Sequence, residues 1–142
     1  MLVILDTNIL SLLQQQAQPA TDRIMAKLRM IPANDQWTTV VTFQEQTKGW
    51  LAAIHHAHTE PQLLRGYQAL FELLKSFRTL NVLPFDVSAL AIFRDLKSQQ
   101  LGVGTHDLRI AAIALARGAK VITQNLKDFE KVPGLLVEDW TV

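Results

Sequence analysis

The chain alternates short runs of aliphatic and β-branched residues with longer stretches of helical periodicity. That alternation limits it to an α/β layer fold with a mainly parallel sheet of about five strands. Leu2 to Leu5 is a continuous apolar run, as expected of a strand covered on both faces. From Asn8 the apolar positions Ile9, Leu10, Leu12 and Leu13 recur with helical spacing until Pro19. A second helix is expected over Ala20 to Met30, and a turn at Pro32 to Asp35. Trp37 to Thr42 is rich in β-branched residues and reads as the second strand.

Two long helices follow, Phe43 to about Ala57 and Pro61 to Arg78. In the latter, Leu63, Leu64, Tyr67, Leu70, Phe71, Leu74 and Phe77 form a wide apolar stripe that is expected to face the core, with some of it available to a partner helix. Asn81 to Phe85 reads as a short strand that Pro84 confines to an edge or an end. Val87 to Gln100 is expected to be helical and Gly102 to Gly104 a flexible connection. A helix from about His106 to Arg117 follows, with Gly118 as its C-terminal cap. Lys120 to Thr123 and Leu135 to Val137 supply the last two strands.

No linker or repeat divides the 142 residues, so residues 1–142 are expected to form one domain. Hydrophobic residues make up 49% of the chain, enough for a core without staples. With no cysteine there is no disulfide framework, zinc–thiolate site or thiol nucleophile. The start, Met1 to Asp6, is apolar but breaks at an acid and lacks a basic leader. No run approaches the ~18 apolar residues of a membrane span. A cytoplasmic protein is expected. The formal net charge of +1 means that any phosphate-binding site must be local, with metal ions supplying part of its positive charge.

In an open parallel sheet, ligands bind beyond the carboxyl ends of the strands. The polar residues there are Asp6-Thr7-Asn8 after the first strand, Glu45 shortly after the second, and Thr123, Asn125 and Asp128 after the fourth. Asp107 begins the helix that feeds the fourth strand. Each acid has an ordinary alternative: Asp6 as a helix cap, Asp107 as a partner of the helix dipole, Glu45 as an exposed helix residue, Asp128 as a turn cap. Their joint placement favours a shared role. Clustered carboxylates repel unless a cation lies among them, and an all-oxygen site suits Mg²⁺ or Mn²⁺. The chemistry that follows is hydrolysis of a phosphodiester by metal-activated water.

Four segments carry a resemblance: Leu5-Asp6-Thr7-Asn8-Ile9-Leu10; Thr42-Phe43-Gln44-Glu45-Gln46 with Gly49; Asp107-Leu108-Arg109-Ile110-Ala111-Ala112; and Val121-Ile122-Thr123-Gln124-Asn125 with Asp128-Phe129. The ending Val132-Pro133-Gly134-Leu135 to Glu138-Asp139-Trp140 adds to them. Together they resemble a PIN domain, specifically the VapC-type toxins of toxin–antitoxin pairs, over essentially the whole chain. The resemblance implies a three-layer α/β/α fold and a Mg²⁺- or Mn²⁺-dependent endoribonuclease. It also implies an RNA substrate, a cognate VapB-type antitoxin and a homodimer. Asp6, Glu45 and Asp107 correspond to the metal-binding acids, and Asn8 to an amide that orients Asp6 or a water. Asn125 stands where some members have aspartate, so either Asn125 or Asp128, one helical turn further on, fills the fourth position, completing the pocket or positioning water.

Other signals have plainer readings. His55, His56 and His58 suit an exposed helix end, and His106 a helix start that could also donate a proton to a leaving oxygen. Trp37, Trp50 and Trp140 are expected in the core rather than stacked on bases. Arg23, Lys27 and Arg29 suit a solvated face or a phosphate backbone, and Arg109 could balance charge beside Asp107. A non-catalytic RNA-binding or protein-interaction module is the main competing function. A phosphoacceptor receiver domain would need an acid pair after the first strand, which Asp6-Thr7-Asn8 lacks.

Overall fold

The computed structural model describes residues 1–142. Five strands, β1 (Val3–Leu5), β2 (Gln36–Thr39), β3 (Val82–Leu83), β4 (Lys120–Ile122) and β5 (Leu136–Glu138), form one sheet in the order β3-β2-β1-β4-β5. Every pairing is parallel. The central strand β1 registers Ile4 against Trp37 of β2 and Val121 of β4. The chain runs outward from β1 to β2 and β3, then returns to the other side of β1 for β4. The order therefore reverses between β1 and β4, and a crevice is expected at their carboxyl ends.

Side chains alternate across the sheet because strand residues have a period of two. Val3 and Leu5 of β1 and Ile122 of β4 pack with Ile9, Ile24, Leu28 and Trp140, against α1 (Thr7–Gln14) and α2 (Ala20–Leu28). Ile4 and Val121 pack on the opposite face with Phe93, Leu96, Ile110 and Ile113, against α5 (Val87–Ser98) and α6 (Thr105–Arg117). Helix α6 ends on Gly118, whose φ of 61° is the left-handed cap conformation that glycine adopts without a Cβ penalty.

Several boundaries differ from the sequence expectation. The second strand stops at Thr39, because the Thr39 hydroxyl accepts from the Thr42 N–H and starts α3 (Val40–His55) inside the β-branched run. A local cap outweighs the weak strand preference of Val40, Val41 and Thr42. The fourth strand stops at Ile122 and the fifth is shifted to Leu136–Glu138. Strand β3 holds only two residues ahead of Pro84, and a short helix α7 (Leu126–Phe129) follows β4.

The long hairpin of α3 with α4 (Glu60–Thr79) brings the largest correction. Tyr67, Phe71 and Leu74 are 56%, 59% and 55% exposed, so most of the apolar stripe expected in the core lines an open groove with Phe43 and Leu70. Only Leu73 of this helix is a buried large apolar residue. Of the tryptophans, Trp140 is buried and donates to Glu138, while Trp37 and Trp50 are half-buried. The hairpin closes tightly at Gly66, where an added Cβ would stand 2.7 Å from Ile54 Cγ1. Gly66→Ala is expected to destabilise the fold by about 1 kcal/mol, the clash exceeding the gain in helix propensity. In an Ile54→Ala background the same change should become stabilising, which paired denaturant titrations would check.

Candidate active site

The β1–α1 junction places Asp6 at the head of the crevice. Its extended backbone caps α1, with Oδ1 accepting from the Thr7 N–H at 2.8 Å. The capping role weighed from sequence is therefore real, but it accounts for only half of the carboxylate. Oδ2 accepts from the Thr123 hydroxyl of the β4 exit at 2.8 Å. That hydroxyl has one hydrogen, so its remaining contacts are accepted: from the Asn125 N–H at 2.9 Å and from Asn8 Nδ2 at 3.5 Å. Asn8 also accepts from the Gln124 N–H at 3.2 Å. Asn8 thus clamps the β4 exit and reaches Asp6 only through Thr123, rather than orienting it directly.

Glu45 approaches from α3. Its Oε1 accepts from the Thr7 hydroxyl at 2.9 Å, and its Oε2 lies 3.8 Å from His106 Nδ1. Asp107 sits in the first turn of α6, where its Oδ2 accepts from Asn125 Nδ2 at 3.2 Å. The same amide donates to Asp128 Oδ2 at 3.0 Å, and Lys131 Nζ lies 3.3 Å from Asp128 Oδ1. Asn125 therefore links Asp107 and Asp128, two acids that would otherwise only repel.

The electrostatics bind these residues into one site. Burial pushes the Asp6 carboxyl up to about 6, against the lowering effect of the Thr123 and Thr7 hydrogen bonds; the charges of Asp107 and Glu45 raise it further. Asp107 is raised by burial, then by the Glu45 charge, with Asn125 opposing and Asp128 adding. Asp128 goes the other way, held below the usual carboxylate range by its bonds from Asn125 and Lys131. Asp6, Glu45 and Asp107 thus lie within electrostatic reach of one another. No trio of acidic or histidine side chains stands at ready-made ligand spacing; each acid is held by a hydroxyl or an amide of its own.

His106 belongs to this site, at the half-buried start of α6 beside Glu45. Arg109 does not: two residues beyond Asp107 is about 200° around the helix, and its guanidinium stands over the Phe93 ring, 5.4 Å from the centroid. Arg23 donates to the Thr141 carbonyl at 2.8 Å and so ties down the C-terminus. His55, His56 and His58 are exposed at the end of α3. The bond from Thr7 to Glu45 was missed by the sequence reading, because nothing in the spacing of residues 38 apart points to it.

The PIN domain family model matches residues 3–135. Ribonuclease VapC1 of Rickettsia felis is 40% identical over 73 residues, which is 49% of this chain and 53% of that protein. The chain thus spans about half the length of that relative, and likewise of the tRNA(fMet)-specific endonuclease VapC of Salmonella typhimurium, 40% identical over 65 residues. Ribonuclease VapC1 of Haemophilus influenzae strain R2866 aligns over 99% of both chains at 27% identity. Among solved structures, VapBC-1 from nontypeable Haemophilus influenzae covers 100% of both chains with a TM-score of 0.79 and 26% identity. The motifs, the sheet order and the site between β1 and β4 are accounted for together: the chain belongs to the PIN-domain family.

Proposed function

We propose that this PIN domain, acting as one unit over residues 1–142, is a metal-dependent endoribonuclease and the toxin half of a VapBC-type toxin–antitoxin pair. The observation that carries the reading is the convergence of Asp6, Glu45 and Asp107 at the reversal of strand order, where burial first and mutual repulsion second raise Asp6 and Asp107. The similarity to ribonucleases named VapC supports the activity, and the similarity to the VapBC-1 structure supports an antitoxin partner. A cytoplasmic homodimer is the assembly that fits this reading; no helix is long and apolar enough to cross a membrane.

The donor set fits a hard divalent cation, because the acids offer only oxygen and their repulsion is relieved by positive charge. Asp6, Glu45 and Asp107 would hold it. A bound Mg²⁺ or Mn²⁺ would neutralise charge on the phosphoryl group and lower the pKa of the attacking water. The chain supplies the rest. Thr123 and the α1 N-terminus hold Asp6, and Thr7 holds Glu45. Asn125 spends both amide hydrogens on Asp107 and Asp128, leaving its carbonyl oxygen to accept from a water at the pocket edge. Asp128, turned toward Lys131, is a flanking residue that completes the pocket wall.

Purified protein incubated with transfer RNA and Mg²⁺ or Mn²⁺ should cleave it at discrete positions, and EDTA should stop the reaction. Cleavage that continues in EDTA would contradict a metal-dependent enzyme. RNA retained but never cut would favour a non-catalytic binding module.

A further inference from the structure

Thr7 is the one residue that bonds to two of the three acids. Its backbone N–H donates to Asp6 Oδ1 at 2.8 Å, and its hydroxyl lies 2.9 Å from Glu45 Oε1. An ionised carboxylate can only accept, so the single hydroxyl hydrogen of Thr7 goes to Glu45. The Thr7 hydroxyl also lies 3.0 Å from the Thr42 hydroxyl. With its hydrogen already committed, Thr7 must accept there, and Thr42 must donate. The direction of the chain is thereby set: Thr42 to Thr7 to Glu45.

Both ends of this chain are fixed. Thr42 is fully buried, and its backbone N–H is held by the capping hydroxyl of Thr39 at the start of α3. Glu45 lies three residues on, so Thr42 and Glu45 share one face of the helix. Thr7 follows Asp6 at the start of α1, anchored by the β1–α1 turn. As a β-branched residue it has few χ1 choices, so its hydroxyl direction follows from the backbone. One side chain thus couples α1 to α3 at the point where two acids from distant parts of the chain meet. Holding Oε1 leaves Oε2 as the Glu45 oxygen beside His106.

We propose that Thr7 is a positioning residue that sets Glu45 relative to Asp6, so that the two carboxylates receive a divalent cation without first having to be ordered. The inference rests on the metal-site reading above but assigns a residue outside the acidic set. Hydrogen bonds of this kind to a ligating group typically change metal affinity by ~10- to 100-fold.

The test is calorimetric titration of the metal-free full chain with MnCl₂, comparing wild type, Thr7→Val and Thr7→Ser. Valine keeps the branched shape and removes the hydroxyl, whereas serine keeps the hydroxyl. Because Thr7→Val also strands the buried Thr42 hydroxyl, the double variant Thr7→Val, Thr42→Val is measured beside it. Thr7→Val and the double variant should bind Mn²⁺ at least about tenfold more weakly, with Thr7→Ser close to wild type. A purely structural role would change the melting temperature of the metal-free protein and not the affinity. Wild-type affinity in both valine variants, or equal weakening by serine and valine, overturns the assignment while leaving the metal site standing. A wild-type chain that takes up no Mn²⁺ overturns both.

Discussion

Asp107→Asn is expected to lower the rate of RNA cleavage by on the order of a thousandfold. A divalent ion contributes several kcal/mol of transition-state stabilisation, and losing about 4 of them corresponds to that factor. The amide keeps the size of the side chain and can still meet Asn125 after a flip. It also relieves a half-buried carboxyl raised by burial and by Glu45. The variant should therefore melt no lower than wild type, separating lost chemistry from lost fold. Single-turnover cleavage of a labelled RNA, run beside a thermal melt, gives both quantities. A variant that melts normally and still cuts at the wild-type rate would remove Asp107 from the site.

Asp6→Asn should make the metal-free protein more stable at neutral pH, not less. The Asp6 carboxyl titrates near 6 in the fold, against 3.8 as its ordinary value, chiefly because it is buried. An acid raised by folding favours the folded state below its unfolded value, and that advantage is lost as pH rises through the folded value. Above pH 6 the wild type thus carries the cost of a buried charge, about 3 kcal/mol for a shift of this size. Asparagine avoids it while keeping the one oxygen that accepts from the Thr7 N–H, and its amide nitrogen faces the Thr123 hydroxyl oxygen as a donor. The variant should melt about 10 °C higher at pH 7.5 without metal, and the difference should close toward pH 4. Added Mn²⁺ should raise the wild type and leave the variant unmoved, by mass action on the folded state. Melts across that pH range, with and without MnCl₂, check every part. A variant less stable than wild type at pH 7.5 would mean that the Asp6 charge is already compensated within the chain.

Strands β1 and β4 were legible because each is a short, mainly apolar run ending at polar residues, and those endings named Asp6, Thr123 and Asn125 directly, whereas β2 showed itself by β-branched content. Glu45 was different. It sits past one turn of α3, where spacing alone cannot distinguish it from a solvated helix residue; its place shortly after the second strand, together with the other acids, marked it, and the motif resemblance reinforced it. The β2–α3 boundary was misplaced because Val40, Val41 and Thr42 carry strand propensity, which the Thr39 cap overrides. The stripe on α4 shows why periodicity identifies an apolar face but not what covers it: Tyr67, Phe71 and Leu74 stand in the open. Arg109 lies close to Asp107 in sequence, but a separation of two residues on a helix turns its side chain to the far side, over Phe93. Contacts between hydroxyls, such as Thr7 with Thr42, depend on how α1 and α3 pack and leave no pattern in sequence.

In the proposed mechanism, Asp6, Glu45 and Asp107 hold one cation in common. Anomalous diffraction from crystals grown with MnCl₂ tests it most directly. An anomalous peak is expected with a carboxylate oxygen of each of the three acids at roughly 2.0–2.3 Å. A peak seated instead on the exposed histidines at the end of α3, or none in crystals soaked to saturation, would contradict it.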